Sequence, residues 1–320
     1  MKKVVIYVSV LRPDVRAAFD SFPDIEPVFI ERNDEAALAA ALPGAEIFVI
    51  SNRIYSENVG KAVREQGTAL KWIQFTTAGF DNAIKAGLPK GLVITNCGGV
   101  RSHSVAEQAF FLLLALARQA RAIEAACLKH DWIRDPISPS LHNIAGRHML
   151  IVGMGPLGQA LTRRALAFDM TVSGMSRTPE PPPGVQRVWP RSQFLQACGE
   201  ADVVVLATAL DDDTKLIINR ESLAAMRQGA YLINVSRGPM VDEAALVEAL
   251  KSGHLGGAGL DVTEFEPTPK DSPLWDLPNV VLSPHIGGAG DPSEAGVGRV
   301  IDQNLKTYLA GKPFARATRT

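Results

Sequence analysis

Short runs of β-branched and aromatic residues alternate with helix-like segments along the chain. In the first hundred residues the apolar runs are VVIYVSV (4–10), PVFI (27–30), EIFVI (46–50), KWIQF (71–75) and LVITN (92–96). Continuous apolar strands separated by helices are typical of a parallel sheet that is covered on both faces. The pattern therefore predicts a first α/β unit.

A long helical pattern follows at about residues 103–129, and its length indicates a packing or connecting helix rather than another crossover helix. A second α/β series has the runs HMLIVG (148–153), MTVSGMS (170–176), ADVVVLAT (201–208), AYLINVS (230–236), GAGLDV (257–262) and NVVLSPH (279–285). A last helix, at about 293–310 and opened by Pro292-Ser293-Glu294, has no unit of its own, so we expect it to pack on the first one. The sequence predicts an α/β protein of two Rossmann-like or flavodoxin-like, doubly wound parallel-sheet domains with a cleft between them.

Composition narrows the class of protein. The 320 residues are 46% hydrophobic and 21% charged, with a net charge of −1, so a globular protein is expected and a nucleic acid or anionic membrane partner is not. The start, MKKVVIYVSV, predicts a strand rather than a leader, because Arg12-Pro13-Asp14 interrupts the apolar run. Three cysteines without metal-ligand spacing predict a reducing cytoplasm and no metal site: Cys97, Cys127 and Cys198.

A glycine-rich loop opens the second series. The segment LIVGMGPLGQAL (150–161) has Gly153, Gly155 and Gly158 in a G-x-G-x-x-G pattern between a strand and a helix, with Met154, Pro156 and Leu157 between the glycines. Such a loop permits a tight turn, a close approach of backbone to pyrophosphate, and close packing of helix on strand. We interpret residues 153–158 as a dinucleotide-binding loop, with a purely structural turn as the alternative.

The residues at the end of the next strand are expected to determine whether NAD(H) or NADP(H) binds. Ser176 lies 23 residues after Gly153, and no acidic residue occurs between Met170 and Thr178. An acid there would repel a 2′-phosphate by about 4 kcal/mol at 4 Å and an effective dielectric near 20. Ser176, Arg177 and Thr178 instead supply donors, and a forked guanidinium suits phosphate. We therefore predict NADP(H) as the preferred cofactor, with NAD(H) possible; a solvated loop arginine is the alternative for Arg177.

Unusual polar residues follow three later strands. Arg237 occurs in NVSRG, Asp261 and Glu266 occur in GLDVTEFEP, and His285 occurs in VVLSPHIGG. Ligands of open α/β sheets bind beyond the carboxyl ends of the strands, so these side chains can converge. These residue types suit the reduction of an anionic ketone. The guanidinium can orient the carboxylate and carbonyl of the substrate, the imidazole can give a proton, and the acid can keep the imidazole protonated. For each residue by itself there is an alternative: Arg237 could form a surface ion pair, and His285 could be a structural histidine.

The chain resembles the D-isomer-specific 2-hydroxyacid dehydrogenase family over nearly its whole length. The resemblance is carried by TTAGFDN (76–82), NCGGVRSHSVAEQ (96–108), GMGPLGQALTRRALAFDM (153–170), LINVSRGPMVDEAALVEAL (232–250), GAGLDVTEFEP (257–267) and SPLWDLPNVVLSPHIGG (272–288). It implies that residues 1–100 plus 287–320 form the substrate domain and residues 101–286 the dinucleotide-binding domain of a homodimer.

The same resemblance assigns roles to single residues. It implies that Arg237 binds the substrate carboxylate and carbonyl, that His285 is the acid/base, and that Glu266 is its partner. It also implies that Asp261 contacts the nicotinamide carboxamide, and that the backbone amides of Ala78 and Gly79 hold the substrate carboxylate. Further candidates to line the cleft, with ordinary loop or interface positions as the alternative, are Arg53, Phe80, Arg101, His103 and Trp132.

The chain departs from the family pattern at two places, and only the first affects the predicted activity. Ser176-Arg177-Thr178 looks like the NADP-preferring glyoxylate/hydroxypyruvate reductases, and Ser283 stands where threonine is common. We predict reduction of a small 2-keto acid, such as glyoxylate or hydroxypyruvate, to the D-2-hydroxy acid. The alternatives are an NAD-linked dehydrogenase for another acid and a nucleotide-sensing, non-catalytic binding protein. Glu266 argues against the formate-oxidising version, which has glutamine there.

Overall fold

The computed structural model describes residues 1–8, 13–178, 180–289, 295–315 and 317–320. It divides the chain into two compact units, one of Met1–Arg101 with Asp291–Thr320 and one of Ser102–Gly290. The domain boundaries expected from the family resemblance are 100/101 and 286/287. Parts of two sequence predictions lie outside the described residues: the end of the first strand (9–10) and the helix start at 292–294.

The strands and helices follow one another in alternation. The strands are β1 (Lys2–Tyr7), β2 (Ile25–Ile30), β3 (Ile47–Ile50), β4 (Trp72–Phe75), β5 (Val93–Thr95), β6 (His148–Val152), β7 (Thr171–Met175), β8 (Arg187–Trp189), β9 (Val203–Leu206), β10 (Ala230–Asn234), β11 (Leu255–Leu260), β12 (Val280–Leu282) and β13 (Thr318–Arg319). The α-helices are α1 (Pro13–Asp20), α2 (Glu35–Ala41), α3 (Glu57–Gln66), α4 (Asp81–Ala86), α5 (Ser102–Ala117), α6 (Ala120–Cys127), α7 (Arg134–Ile137), α8 (Pro156–Ala167), α9 (Phe194–Glu200), α10 (Arg220–Ala225), α11 (Glu243–Lys251) and α12 (Ala295–Leu309).

The first unit is built on a sheet of order β13-β5-β4-β3-β1-β2. Strands β1 to β5 pair in parallel, and every residue of β3 and β4 is buried, because helices cover both faces of the sheet. The edge strand β13 pairs antiparallel with β5. The sequence pattern did not predict β13, since two residues with no apolar run give no strand signal.

The second unit has a fully parallel sheet of order β12-β11-β10-β9-β6-β7-β8. The strand order reverses between β6 and β9, and in such sheets a ligand binds outside the carboxyl ends of the strands at that point. The glycine-rich loop follows β6 directly. The prediction of two parallel-sheet α/β domains is confirmed.

The prediction of one long helix at residues 103–129 is wrong. The segment forms α5 and α6, and Gln119 between them takes a left-handed conformation with φ of 56°. A single left-handed residue interrupts the ladder of hydrogen bonds along a helix. This break could not be predicted from local sequence, because Arg118, Gln119 and Ala120 all have good helix propensity.

The C-terminal helix α12 packs on α1 of the first unit. The amide of Gly298 donates to Asp14 Oδ2 at 3.0 Å, and a Cβ at residue 298 would lie 2.4 Å from the Asp14 carbonyl oxygen. Asn304 Nδ2 donates to Oε1 of buried Gln74 in β4 at 2.7 Å. The two ends of the chain therefore belong to one unit.

Candidate active site

In the 153–158 loop, contacts within the protein require glycine at positions 153 and 158. Gly153 has φ of +109°, and a Cβ there would lie 2.6 Å from the carbonyl oxygen of Ala207, the residue after β9. A Cβ on Gly158 would lie 2.1 Å from the carbonyl oxygen of Gly153, so α8 approaches the loop more closely than any side chain permits. These contacts hold the turn against β6 and β9, where the strand order reverses.

Gly155 is different, because apart from its chain neighbours no atom of the described residues lies within 4 Å of where its Cβ would be. It caps α8 with an ordinary φ of −69°, and Pro156 occupies the first helical position. The fold itself does not require glycine at position 155. An anion that approaches the amides at the start of this twelve-residue helix does require the space that a side chain would fill. The loop therefore fits the pyrophosphate of a dinucleotide.

The side chains between the glycines support the loop from within. Met154 is buried, and a Cβ on Gly174 of β7 would lie 2.4 Å from its sulfur atom. Leu157 is half-buried and packs on the core of the second unit. Their side chains thus belong to the interior, so any contact of Met154 with a cofactor would come from its backbone.

The segment predicted to select the cofactor follows β7. Ser176 is half-buried, and its Oγ accepts a hydrogen bond from the amide of Thr178 at 3.2 Å. Arg177 and Thr178 are exposed. This turn places a hydroxyl, an arginine and a second hydroxyl at the carboxyl end of the strand next to the glycine-rich loop, without an acid that would repel a phosphate.

His285 and Glu266 form a hydrogen-bonded pair. Nδ1 of His285 lies 2.7 Å from Oε2 of Glu266, and the two side chains are 42% and 39% exposed. Burial raises the pKa of Glu266, but the hydrogen bond and charge of His285 outweigh it, with smaller contributions from the Thr263 backbone and the Arg237 charge. The net pKa of Glu266 lies below its usual range, so the carboxylate is ionised and can stabilise a protonated imidazole.

Arg237 belongs to a loop that packs on the segment that leads to Glu266. A Cβ on Gly238 would lie 1.8 Å from the Thr263 carbonyl oxygen, so only glycine allows this approach. The half-buried guanidinium donates from Nη1 to the Ser236 carbonyl at 2.7 Å, and its charge acts on Glu266. The structure thus brings the three predicted catalytic residues to one edge of the second sheet.

Two supporting residues were not predicted. Asn234 is fully buried at the end of β10, where its Nδ2 donates to the Arg237 carbonyl at 2.9 Å and its Oδ1 accepts from the Ser236 amide at 3.0 Å. The half-buried carboxylate of Glu243 accepts a hydrogen bond from the Glu264 amide; burial raises its pKa. An asparagine inside the apolar run AYLINVS was the sequence signal that could have identified Asn234.

Asp261 is held by the turn that carries His285. Its carboxylate is buried and accepts hydrogen bonds from Ser283 Oγ at 2.6 Å, the Ile286 amide at 3.0 Å and the Gly287 amide at 2.8 Å. The His285 amide donates to the Asp261 carbonyl at 2.8 Å, which supports the left-handed φ of 52° at His285. The contacts show that Asp261 fixes this turn; its predicted contact with the nicotinamide remains a prediction.

The remaining candidates are divided between the two units. Ala78 and Gly79 follow β4 in the first unit, which also contains Arg53, Arg101 and Phe80, whose ring stacks on Phe75 at 5.4 Å. His103 and Trp132 belong to the second unit, where Trp132 is 93% exposed.

Other predicted properties concern thiols, metals and membranes. Cys97 is buried, with Gln74 Nε2 at 3.6 Å from its sulfur. The described residues contain no group of three or more His, Cys, Asp or Glu side chains that could hold a metal ion. Within the described part of the chain, no helix is both long enough and apolar enough to cross a membrane.

The fold and the site together define an α/β oxidoreductase with a nicotinamide dinucleotide-binding domain. Residues 110–287 match the family model of the D-isomer specific 2-hydroxyacid dehydrogenase NAD binding domain. The chain belongs to the D-isomer-specific 2-hydroxyacid dehydrogenase family, as its motifs predict, and its substrate is a small 2-keto or 2-hydroxy acid.

Individual relatives differ in substrate. The glyoxylate reductase of Thermococcus litoralis is 35% identical over 265 residues, which cover 81% of this chain and 80% of the relative. A D-3-phosphoglycerate dehydrogenase of Methanocaldococcus jannaschii is 32% identical over 86% of this chain, but the match covers only 52% of that longer protein. The structure of a D-isomer specific 2-hydroxyacid dehydrogenase from Xanthobacter autotrophicus Py2, in complex with NADPH and MES, superposes with a TM-score of 0.82 at 26% identity, covering 99% of this chain and 98% of that one.

Proposed function

We propose that the protein reduces glyoxylate, hydroxypyruvate or a similarly small 2-keto acid to the D-2-hydroxy acid, with NADPH preferred over NADH. The observation that carries the cofactor preference is the turn after β7, where Ser176, Arg177 and Thr178 replace an acid. The similarity to a glyoxylate reductase and to a structure in complex with NADPH supports the proposal.

The residues that would hold the cofactor fit its parts. The amides at the start of α8, beside the open space at Gly155, suit the pyrophosphate, and the 176–178 turn suits a 2′-phosphate. When bound, the reduced nicotinamide supplies a hydride to C2 of the substrate. NAD(H) remains the alternative, since Ser176 and Thr178 can also donate to ribose hydroxyls.

The chain's own groups then complete the reduction. We assign the substrate carboxylate to the amides of Ala78 and Gly79 and to the guanidinium of Arg237. His285 gives its proton to the carbonyl oxygen as that oxygen gains charge, and ionised Glu266 stabilises the imidazolium before the transfer. One hydride at C2 and one proton at oxygen together convert the carbonyl group to the alcohol.

We also propose a homodimer, formed through the segment that begins the second unit. Large apolar side chains of this segment are exposed: Phe111 at 55%, Leu128 at 79% and Trp132 at 93%. A second copy that covers them would remove this apolar surface from water. The proposed location is the cytoplasm, where the three cysteines would remain reduced.

A substrate panel tests the proposal directly. Glyoxylate, hydroxypyruvate, pyruvate and 3-phosphohydroxypyruvate are each mixed with NADPH or NADH, and the absorbance of the reduced cofactor is followed. We expect the highest kcat/KM with NADPH and either glyoxylate or hydroxypyruvate. His285→Ala should lower kcat by about 10²–10⁴-fold while leaving NADPH affinity close to that of the wild type.

The outcomes separate the alternatives. Efficient turnover of another acid with NADH would establish the NAD-linked dehydrogenase. Nucleotide binding without turnover of any acid would establish the non-catalytic binding protein. A fully active His285→Ala variant would refute the assignment of His285 as proton donor.

A further inference from the structure

Three successive carbonyl groups in the loop after β4 each accept a hydrogen bond. The Thr77 carbonyl accepts from the Cys97 amide at 3.1 Å, the Ala78 carbonyl accepts from Asn96 Nδ2 at 2.8 Å, and the Gly79 carbonyl accepts from Thr77 Oγ1 at 2.7 Å. Asn96 is itself fixed, because its Oδ1 accepts from the Gly98 amide at 2.9 Å. Two side chains therefore set the orientation of two consecutive peptide groups.

The orientation of the carbonyls determines that of the amides. In a trans peptide the C=O of one residue and the N–H of the next point in opposite directions. Engaging the carbonyls of residues 77–79 thus turns the N–H groups of Ala78, Gly79 and Phe80 away from Cys97, Asn96 and the Thr77 hydroxyl. None of these three N–H groups donates to an acceptor among the described residues, and Ala78 is exposed. Successive oriented amides of this kind attract an anion.

We propose that Asn96 and Thr77 are positioning residues for the substrate carboxylate, and that the Phe80 amide is a third donor beside those of Ala78 and Gly79. The inference rests on the proposed function, which assigns the carboxylate to this loop. Asn96 fixes the peptide group that contains the Gly79 amide, and Thr77 fixes the one that contains the Phe80 amide.

The pairing of the strands does not depend on these two bonds. β4 and β5 pair from Trp72–Val93 to Gln74–Thr95, ahead of the loop, and the side chains of Asn96 and Thr77 are half-exposed. Water can satisfy the groups that a substitution at either position leaves unpaired. Loss of either side chain should therefore release the peptide groups of the loop without unfolding the sheet.

A matched pair of variants at position 77 separates the hydroxyl from the shape of the side chain. Thr77→Val keeps the branched shape and loses the donor, whereas Thr77→Ser keeps the donor. We expect the KM for glyoxylate to rise about tenfold in Thr77→Val and in Asn96→Ala, because hydrogen bonds to an ionised group are weakened. We expect Thr77→Ser to stay within about threefold of the wild type. The kcat at saturation and the KM for NADPH should change by less than about threefold in all three, because neither residue belongs to the second unit.

Calorimetric titration of oxalate into the enzyme saturated with NADP⁺ tests the same loop without turnover. We expect its Kd to follow the KM series. An unchanged KM and oxalate Kd in both Thr77→Val and Asn96→Ala would overturn the inference, as would a wild type that binds no oxalate. An equal loss of kcat and NADPH affinity, with a lower melting temperature, would show a merely structural role. A wild type that binds oxalate but turns over no keto acid would instead refute the proposed function alone.

Discussion

Gly155 and Gly158, at the start of α8, should respond differently to substitution by alanine. In Gly158→Ala the new methyl group would lie 2.1 Å from the Gly153 carbonyl oxygen, more than 1 Å closer than ordinary contact distances permit. In Gly155→Ala the methyl group would meet no atom within 4 Å in the described part of the chain, its immediate chain neighbours aside. The first change therefore strains the fold, and the second obstructs only a ligand.

The size of each effect follows from these contacts. Overpacking costs about 1–3 kcal/mol, partly offset by the better helix propensity of alanine, so Gly158→Ala should lower the melting temperature by roughly 2–8 °C. Gly155→Ala replaces an acceptable N-cap with a poor one at a cost of about 0.5–1 kcal/mol, or roughly 1–3 °C. Its methyl group keeps a phosphate oxygen from the helix amides, and the loss of one charge-assisted hydrogen bond raises the Kd for NADPH by about 10–100-fold.

Thermal unfolding of the cofactor-free protein and fluorescence titration with NADPH measure the two effects. Gly199→Ala in α9 is a control for a milder tight contact, because its new methyl group would lie 3.3 Å from the Ala225 carbonyl oxygen, far along the chain from the loop. A Gly155→Ala variant with wild-type NADPH affinity would show that the pyrophosphate does not bind at this helix start. An unchanged melting temperature for Gly158→Ala would refute the packing argument.

Two further predictions concern the cofactor turn and the catalytic pair. Ser176→Asp combined with Arg177→Ala should shift the ratio of kcat/KM values from NADPH toward NADH by at least about tenfold, since the new carboxylate repels the 2′-phosphate; Ser176→Asn is the uncharged control, and an unchanged ratio would mean that the phosphate is recognised elsewhere. Because the pKa of Glu266 is lowered in the folded protein, its ionised form stabilises the fold above the usual pKa of glutamate, and this contribution is lost as the pH falls through the lowered value. The melting temperature of the wild type should therefore exceed that of Glu266→Gln near pH 6 and approach it in strong acid, and a constant difference would contradict the lowered pKa.

Much of the fold could be predicted from local pattern. The apolar runs of both sheets coincide with strands to within three residues, because strands buried on both faces need continuous β-branched and aromatic side chains. The glycine-rich loop was predictable for a similar reason, since its spacing encodes a turn, an anion approach and a close helix contact. The strand β8 was missed, because RVW (187–189) is short and has little apolar character before its tryptophan.

Other features depend on contacts between residues distant in sequence. Gln119 breaks the predicted long helix although its side chain favours helix, because the packing of α5 and α6 outweighs local propensity. The hydrogen bonds that hold the candidate active-site loops could not be predicted from the sequence either. Asp261 accepts a hydrogen bond from Ser283, 22 residues away, and Glu243 accepts one from the amide of Glu264, 21 residues away. A sequence pattern reports burial and periodicity, but not which buried acceptor meets which donor.

The sequence alone determined that this is a two-domain α/β protein with a dinucleotide loop and an Arg237, Glu266 and His285 set, because those properties reside in local spacing. Only the tertiary structure decided how the set is held, through the 2.7 Å bond between His285 and Glu266 and the buried carboxylate of Asp261 under the His285 turn. It also showed that the carbonyls of the 77–79 loop are fixed by side chains. Hydrogen bonds are short-range and directional, so their partners are chosen only once folding has brought distant strands to the same edge.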